Sequence, residues 1–296
     1  MSAPRRVAIG RVIAVLCLGL ALRAGAVTVF AAGDVAQCHS QPASASPAAA
    51  TARIPPDGSV VLMLGDAAYP QADSETLKTC YDPTWGRHRA HTFAVLGNHD
   101  VIGGDSDAFA AYFDSLAEHG SNDRHHFRVA VGDWWLIGLD SNLSGADLEH
   151  QWAWLASTLG AIAGDGRCIV AAWHHPLLST GLHSGDGERM QPAWRLLSEA
   201  GADLVLNGHE HFYESFGPAD AAANPSAAGM REFIVGTGGG RLSDFSLAPW
   251  RHRAFARRYG VLELTLDSDR YAWRFRSTDG ETLDQGTARC RRAQSR

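Results

Sequence analysis

Seven side chains with oxygen or imidazole donors stand in turns that follow short apolar runs: Asp34, Asp66, Tyr69, Asn98, His174, His209 and His211. Such donors, with no thiolate among them, suit Fe, Zn or Mn. Seven exceed one tetrahedral site and suit two ions sharing a bridging carboxylate. Two ions a few Å apart clamp the attacking and leaving oxygens of an in-line displacement. The densest stretch is Leu96-Gly97-Asn98-His99-Asp100, an amide, an imidazole and a carboxylate in succession. Any one such stretch could be a polar turn whose Asn and Asp bond the local backbone. Five in one chain, each behind an apolar run, are not explained that way.

The elements that must position these groups are short buried strands. Val27–Ala32 ends in Gly33-Asp34, Val60–Leu64 in Gly65-Asp66, and Thr92–Val95 in Gly97-Asn98. Ile169–Trp173 ends in His174-His175-Pro176, and Leu204–Leu206 in Asn207 to His211. Ligands of open α/β sheets bind beyond the carboxyl ends of the strands. Gly97 is expected to turn the backbone where a Cβ would obstruct it. Helices fill the intervals. Ser46 and Pro47 read as N-cap and first helical residue. Ser74–Tyr81 reads as a helix, and 82–89 as a loop. Phe109, Tyr112, Phe113 and Leu116 form a helical stripe, as do Leu148, Trp152, Leu155 and Leu159, and Met190, Trp194 and Leu197. A hairpin is expected across Gly132-Asp133. Beyond His211 the chain reads as mostly β, with strands at 233–235, 261–266 and 271–276. Gly236–Gly240 lacks the Gly-Lys-Ser/Thr of a phosphate-cradling loop and reads as a flexible turn. Asn142-Leu143-Ser144 is a glycosylation sequon, meaningful in a eukaryotic secretory host.

Composition bounds the reading. The chain has 296 residues, 45% hydrophobic and 20% charged, enough for a full-sized core. A net charge of −6 gives no basic footprint for nucleic acid. Arg5 and Arg6, the apolar run Val12–Leu22 and Ala24-Gly25-Ala26 make a signal peptide over residues 1–26. Its removal takes four arginines and lowers the charge from −6 to −10. No later stretch could span a membrane, so the expected location is periplasmic or secreted. One domain should occupy residues 27–296. Cys38, Cys80, Cys168 and Cys290 remain, and an even number in an exported chain implies disulfides. Of three pairings, Cys38–Cys80 with Cys168–Cys290 is favoured, because Cys38 and Cys80 each follow a strand that ends in a ligand turn.

Gly33-Asp34, Gly65-Asp66, Gly97 to Asp100, Val170 to His174 and Gly208 to His211 occur in the order found in the calcineurin-like metallophosphoesterases. The chain resembles that family over nearly all of residues 27–211. Many members carry His two residues after the first Asp, where this chain has Ala36. Tyr69, three residues after Asp66, instead resembles the purple acid phosphatase branch. The resemblance implies an α/β fold, a four-layer sandwich of two mixed β-sheets flanked by helices. It implies Fe(III) held by Asp34, Tyr69 and His211, and Fe(II), Zn or Mn held by Asn98, His174 and His209, with Asp66 bridging. His99 would act as proton donor to the leaving oxygen or orient phosphate, with Asp100 orienting it. His183 lies nine residues after His174, where purple acid phosphatases place a substrate-contacting His. The implied activity is hydrolysis of small phosphate esters, most readily monoesters, by a metal-bound hydroxide. A phosphodiesterase or nucleotidase on the same core is the alternative. A non-catalytic metal-binding exported module is the reading from another class.

Overall fold

The computed structural model describes residues 25–37, 42–102, 106–113, 126–243 and 252–291. Strands β1 (Val27–Ala32), β2 (Val60–Met63) and β3 (Thr92–Ala94) run parallel to one another. The next strands are β4 (Phe127–Val131), β5 (Trp134–Gly138), β6 (Cys168–Ala172) and β7 (Leu204–Asn207). They are followed by β8 (Tyr213–Phe216), β9 (Arg231–Val235) and β10 (His252–Ala256). Last come β11 (Gly260–Leu266), β12 (Arg270–Ser277) and β13 (Thr282–Arg289). One sheet has the order β13-β12-β11-β1-β2-β3 and the other β10-β8-β9-β7-β6-β5-β4. Both mix parallel and antiparallel pairs, as expected. The hairpin β4–β5 turns at Gly132-Asp133 as read from sequence. Strands β8, β10 and β13 carry no clear alternation and were not expected.

Side-chain alternation builds the layers. In β1, Val29 and Ala31 enter the core between the sheets, while Phe30 and Ala32 face the outer layer. In β6, Cys168, Val170 and Ala172 face inward, while Ile169 and Ala171 face outward. Helices α1 (Pro47–Thr51), α2 (Ser74–Thr76) and α3 (Asp107–Tyr112) lie on the first sheet's side. Helices α4 (Gly145–Ala161) and α5 (Gln191–Glu199) cover the second. The result is the four-layer sandwich. Trp85, Trp134, Trp173, Trp194 and Trp273 are fully buried within it.

Local signals held at most ends. Ser46 Oγ accepts from the Ala49 N–H at 3.3 Å, with Pro47 opening α1. The helix expected over 74–81 is α2 continued as a wide π turn over Leu77–Tyr81. The loop expected over 82–89 is instead largely a 3-10 helix, Trp85–His91, because Trp85 and His88 are pulled into the core. Along α4 the buried line includes Gln151 rather than Trp152. Its amide takes both backbone groups of Asp140, at 2.8 and 2.9 Å, doing the work of a neighbouring strand. Leu116 lies outside the described residues.

Cys168 and Cys290 form a disulfide with Cα atoms 5.9 Å apart, as favoured. Cys80 is also disulfide-bonded, and Cys38 lies outside the described residues. The signal segment lies outside them up to residue 24. No helix among the described residues is long and apolar enough to cross a membrane.

Candidate metal centre

Parallel pairing of β1 with β2 continues past both strands into the ligand turns. The N–H groups of Asp34, Val35 and Ala36 donate to the carbonyls of Gly65, Asp66 and Ala67 at 2.9–3.0 Å. Asp34 and Asp66 therefore emerge side by side. Their φ angles are +58° and +54°, and that of His209 is +71°. Non-glycine residues adopt the left-handed region at a cost and only where the surroundings enforce it. Three donor residues held there mark a site built for a purpose other than stability. Ala36 is buried in the apolar layer and offers no donor.

The donor atoms converge in two groups. Tyr69 Oη lies 2.9 Å from Asp34 Oδ1, 3.0 Å from Asp66 Oδ2 and 2.9 Å from His211 Nε2. His211 Nε2 is 3.2 Å from Asp34 Oδ1. Ligands about 2.1 Å from a metal at right angles stand about 3 Å apart, so this spacing fits one ion. In the second group Asn98 Oδ1 is 3.1 Å from both His174 Nε2 and His209 Nδ1. Asp66 Oδ2 is 3.5 Å from His174 Nε2 and so belongs to both groups. All seven residues expected as ligands are thus brought together, with Asp66 Oδ2 shared by the two groups.

Each of the three imidazoles has its other nitrogen against an oxygen. His174 Nδ1 faces the Leu64 carbonyl at 2.8 Å, and His211 Nδ1 faces that of Arg241 at 2.7 Å. His209 Nε2 faces Asp186 Oδ2 at 3.1 Å. These oxygens take the N–H and turn the lone pair of His174 Nε2, His211 Nε2 and His209 Nδ1 toward the centre, as metal-binding histidines require.

The charges call for a cation. Burial pushes Asp66 upward, but His174 and His99 beside it hold its carboxyl well below the usual range. Burial pulls His174 down, yet Asp66 and Asp34 outweigh it and raise it to about 10. His211 rises to about 8 for the same reason, with Asp34 foremost among its partners. His209, buried beside His174, falls to about 4. Burial, Asp34 and Asp66 push the Tyr69 phenol well up, so its phenolate form needs a strong positive charge nearby. Protons on two imidazoles or bound metal ions can supply that charge. The donor set and its spacing fit two ions.

Several expectations change. Asp100 does not touch the His99 ring. Its carboxylate accepts from the N–H groups of Asp66, Ala67 and Gly97 at 2.7–2.9 Å, bracing two ligand turns. His99 Nδ1 instead faces the Pro70 carbonyl at 2.6 Å, and its ring packs edge-on to Tyr69. Gly97 has an ordinary φ of −97°. The expected obstruction is nevertheless present, because a Cβ there would lie 2.1 Å from Asp66 Oδ1. The Gly236–Gly240 loop is buried rather than flexible. A Cβ at Gly236 would lie 2.1 Å from the Glu210 carbonyl oxygen and 2.8 Å from Asp34 Oδ2, so the glycines let the loop close over the ligand turns. Asn142 is spent inside the molecule. Its side-chain amide donates to Asp140 Oδ1 and reaches the Leu96 and Gly97 carbonyls, which opposes glycosylation at the sequon.

His183 reaches the site edge, its ring centroid 5.1 Å from that of His209. His175 is structural, with Nδ1 2.7 Å from Ser141 Oγ and burial pulling it down to about 2. His88 and His126 are buried packing residues. Asp186 and Glu210 were missed. The only sequence signal for Asp186 was its place between two glycines just after His183. Glu210 bonds the segment that carries His183.

Comparison with known proteins agrees with this geometry. The calcineurin-like phosphoesterase family matches residues 27–213. Purple acid phosphatase 15 of Arabidopsis thaliana is 25% identical over 187 residues, 52% of this chain and 35% of its own length. Among solved structures, purple acid phosphatase PPD1 from yellow lupin (Lupinus luteus) seeds superposes with a TM-score of 0.69 at 16% identity, covering 88% of this chain and 53% of that one. GAP50, the anchor in the inner membrane complex of Plasmodium, gives 0.67 at 17% identity and 90% of both chains. The chain thus spans about a third of the Arabidopsis protein and about half of the lupin one. With the family motifs matched across more than half of its length and their side chains gathered on one rim, this chain belongs to the calcineurin-like phosphoesterase family.

Proposed function

We propose that this protein is an exported, dinuclear metal-dependent hydrolase of phosphate esters that prefers monoesters. The observation that carries the reading is the set of three imidazoles, each with its second nitrogen against an oxygen and its lone pair turned to a cluster that shares Asp66. Asp34, Tyr69 and His211 would hold Fe(III). Asn98, His174 and His209 would hold Fe(II), Zn or Mn, with Asp66 common to both. When bound, the two ions supply an activated water and neutralise charge on the phosphoryl oxygens.

The other residues handle protons and position. His99 Nδ1 is engaged by the Pro70 carbonyl, which leaves Nε2 to pass a proton to the departing alkoxide. His183, exposed beside His209, would bond a phosphoryl oxygen. Asp186 orients His209 from behind. The Cys168–Cys290 disulfide accords with a periplasmic or secreted location.

The Plasmodium protein shows that this fold also serves in a protein described as an anchor. The complete donor set favours catalysis here. Metal analysis of purified protein should give two ions per chain including iron. Release of inorganic phosphate from an aryl phosphate should exceed cleavage of the matching diester. Two bound ions with neither activity would support the non-catalytic reading, and a faster diester reaction would make the enzyme a phosphodiesterase.

A further inference from the structure

Between β6 and α5 the chain crosses the outer side of the second sheet without forming a helix or strand over 177–183. A buried segment of that kind must find partners for its backbone N–H groups. Here the partners are three buried glutamates, Glu232 on β9, Glu214 on β8 and Glu210 in the ligand turn. Glu232 accepts from the Leu177 and Leu178 N–H groups, one per oxygen, both at 2.8 Å. Glu214 accepts from the Thr180 N–H at 3.1 Å and from the Thr180 hydroxyl at 2.7 Å. Glu210 Oε1 accepts from the Ser179 hydroxyl and the His183 N–H, both at 3.0 Å. The Ser179 oxygen in turn accepts from the Gly181 N–H at 2.9 Å. A Cβ at Gly181 would lie 2.0 Å from the Glu210 carboxyl carbon, so the segment rests directly on that side chain.

Burying three carboxyl groups side by side is costly unless each is fully hydrogen-bonded. These bonds run to one segment, and that segment ends at Leu182 and His183. Leu182 is 71% exposed, although its neighbours in the segment are tied down. We infer that Glu232, Glu214 and Glu210 form a carboxylate clamp whose task is to position His183, and with it Leu182, at the substrate face of the metal centre. This rests on the reading of His183 as a substrate contact. Leu182 then meets the organic part of the ester.

Donor chemistry sets the test. Glu232 faces two N–H groups and must accept from both. Gln at that position sets an NH₂ donor against an N–H and breaks one bond. Of the bonds Glu214 makes to this segment, one comes from an N–H and one from a hydroxyl, and the Thr180 hydroxyl can reverse to accept from an amide. The same substitution is therefore disruptive at 232 and tolerated at 214. In the full chain, with an aryl phosphate as substrate, Glu232→Gln should raise KM about tenfold with metal content unchanged. Amide hydrogen exchange over 177–183 should quicken by a similar factor. Glu214→Ala should behave alike, and Glu214→Gln should restore KM and exchange. His183→Ala should raise KM without altering exchange of 177–181, and combining it with Glu232→Gln should add little. Should Glu232→Gln fail to fold, Ser179→Ala with Thr180→Val removes two side-chain bonds to the clamp and keeps every glutamate. It should give the same rise in KM and in exchange.

If the segment loosens while KM stays unchanged, and His183→Ala does raise KM, the clamp does not position His183 and the inference is overturned. Unchanged exchange in Glu232→Gln overturns it outright. If His183→Ala leaves KM unchanged, the substrate role of His183 falls, and the clamp is then decided by exchange alone.

Discussion

In the proposed reading, Tyr69 carries the choice of first metal. Its oxygen stands within 3.0 Å of Asp34, Asp66 and His211, and its phenol is pushed well up by burial and both carboxylates. Only a strongly charged ion would make it a phenolate, which on Fe(III) gives a visible charge-transfer band. Tyr69→Phe removes one oxygen and keeps the ring, so packing should barely change. The band should vanish and the first ion bind more weakly. A colourless wild type with iron shown to be ferric, or a Phe variant that keeps the colour, would remove Tyr69 from the ligand set. The His99 N–H donates to Asp66 Oδ1 at 2.8 Å, while its ring has one nitrogen on the Pro70 carbonyl. His99→Ala should keep both metals and lose about 10²–10⁴ in kcat. Loss of metal, or an unchanged kcat, would assign it a different role. Both residues stood out in the sequence. Asp186 and the carbonyls of Leu64 and Arg241 did not, because their partners are set by folding and not by spacing.

At the scale of elements, the close approach of turns decides what each position tolerates. Gly97 leaves no room for a side-chain carbon beside the Asp66 carboxylate, whereas Gly160 near the end of α4 has open space. Gly97→Ala should displace Asp66, lower metal occupancy and destabilise the chain. Gly160→Ala should be neutral or stabilise by up to about 1 kcal/mol. Equal metal content and midpoint in the two variants would refute the packing argument. The strands that end in ligand turns were legible because buried parallel strands read as apolar runs. Strands β8 and β13 were not legible. Tyr213–Phe216 holds Glu214 and Ser215 in full burial, and Thr282–Arg289 is an exposed edge. Neither presents an alternation of apolar and polar residue types along the chain.

At the scale of the whole molecule, one covalent link ties the two sheets. Cys168 opens β6 and Cys290 follows β13, 122 residues apart. Cys168→Ser with Cys290→Ser should cost about 2–5 kcal/mol in denaturant unfolding and leave the metal centre, at the opposite ends of the strands, intact. Stability should also respond to pH through Glu214. Burial pushes it up to about 7, and the unfolded group titrates near 4.3, so the folded chain holds a proton that the unfolded chain has released. That contribution is full below the unfolded pKa and is lost as pH rises through about 7. Between pH 5 and pH 8 the midpoint of Glu214→Gln should therefore fall less than that of wild type. Parallel curves would show that Glu214 does not titrate in this window.

The amino-acid sequence by itself determined which side chains could bind metal, their order along the chain and the strands that deliver them. Those features are local: an apolar run, a glycine, then a polar donor. Tertiary structure alone decided what each donor does once delivered. It placed one oxygen of Asp66 between two clusters, turned Asp100 from a partner of His99 into a brace for backbone N–H groups, and spent Asn142 on the carbonyls of Leu96 and Gly97. It also buried Glu210, Glu214 and Glu232 beneath a segment distant from them in sequence. The physical reason is that a hydrogen-bond partner or a buried charge is defined by what folding brings within about 3 Å, and residue type and spacing carry no record of that distance.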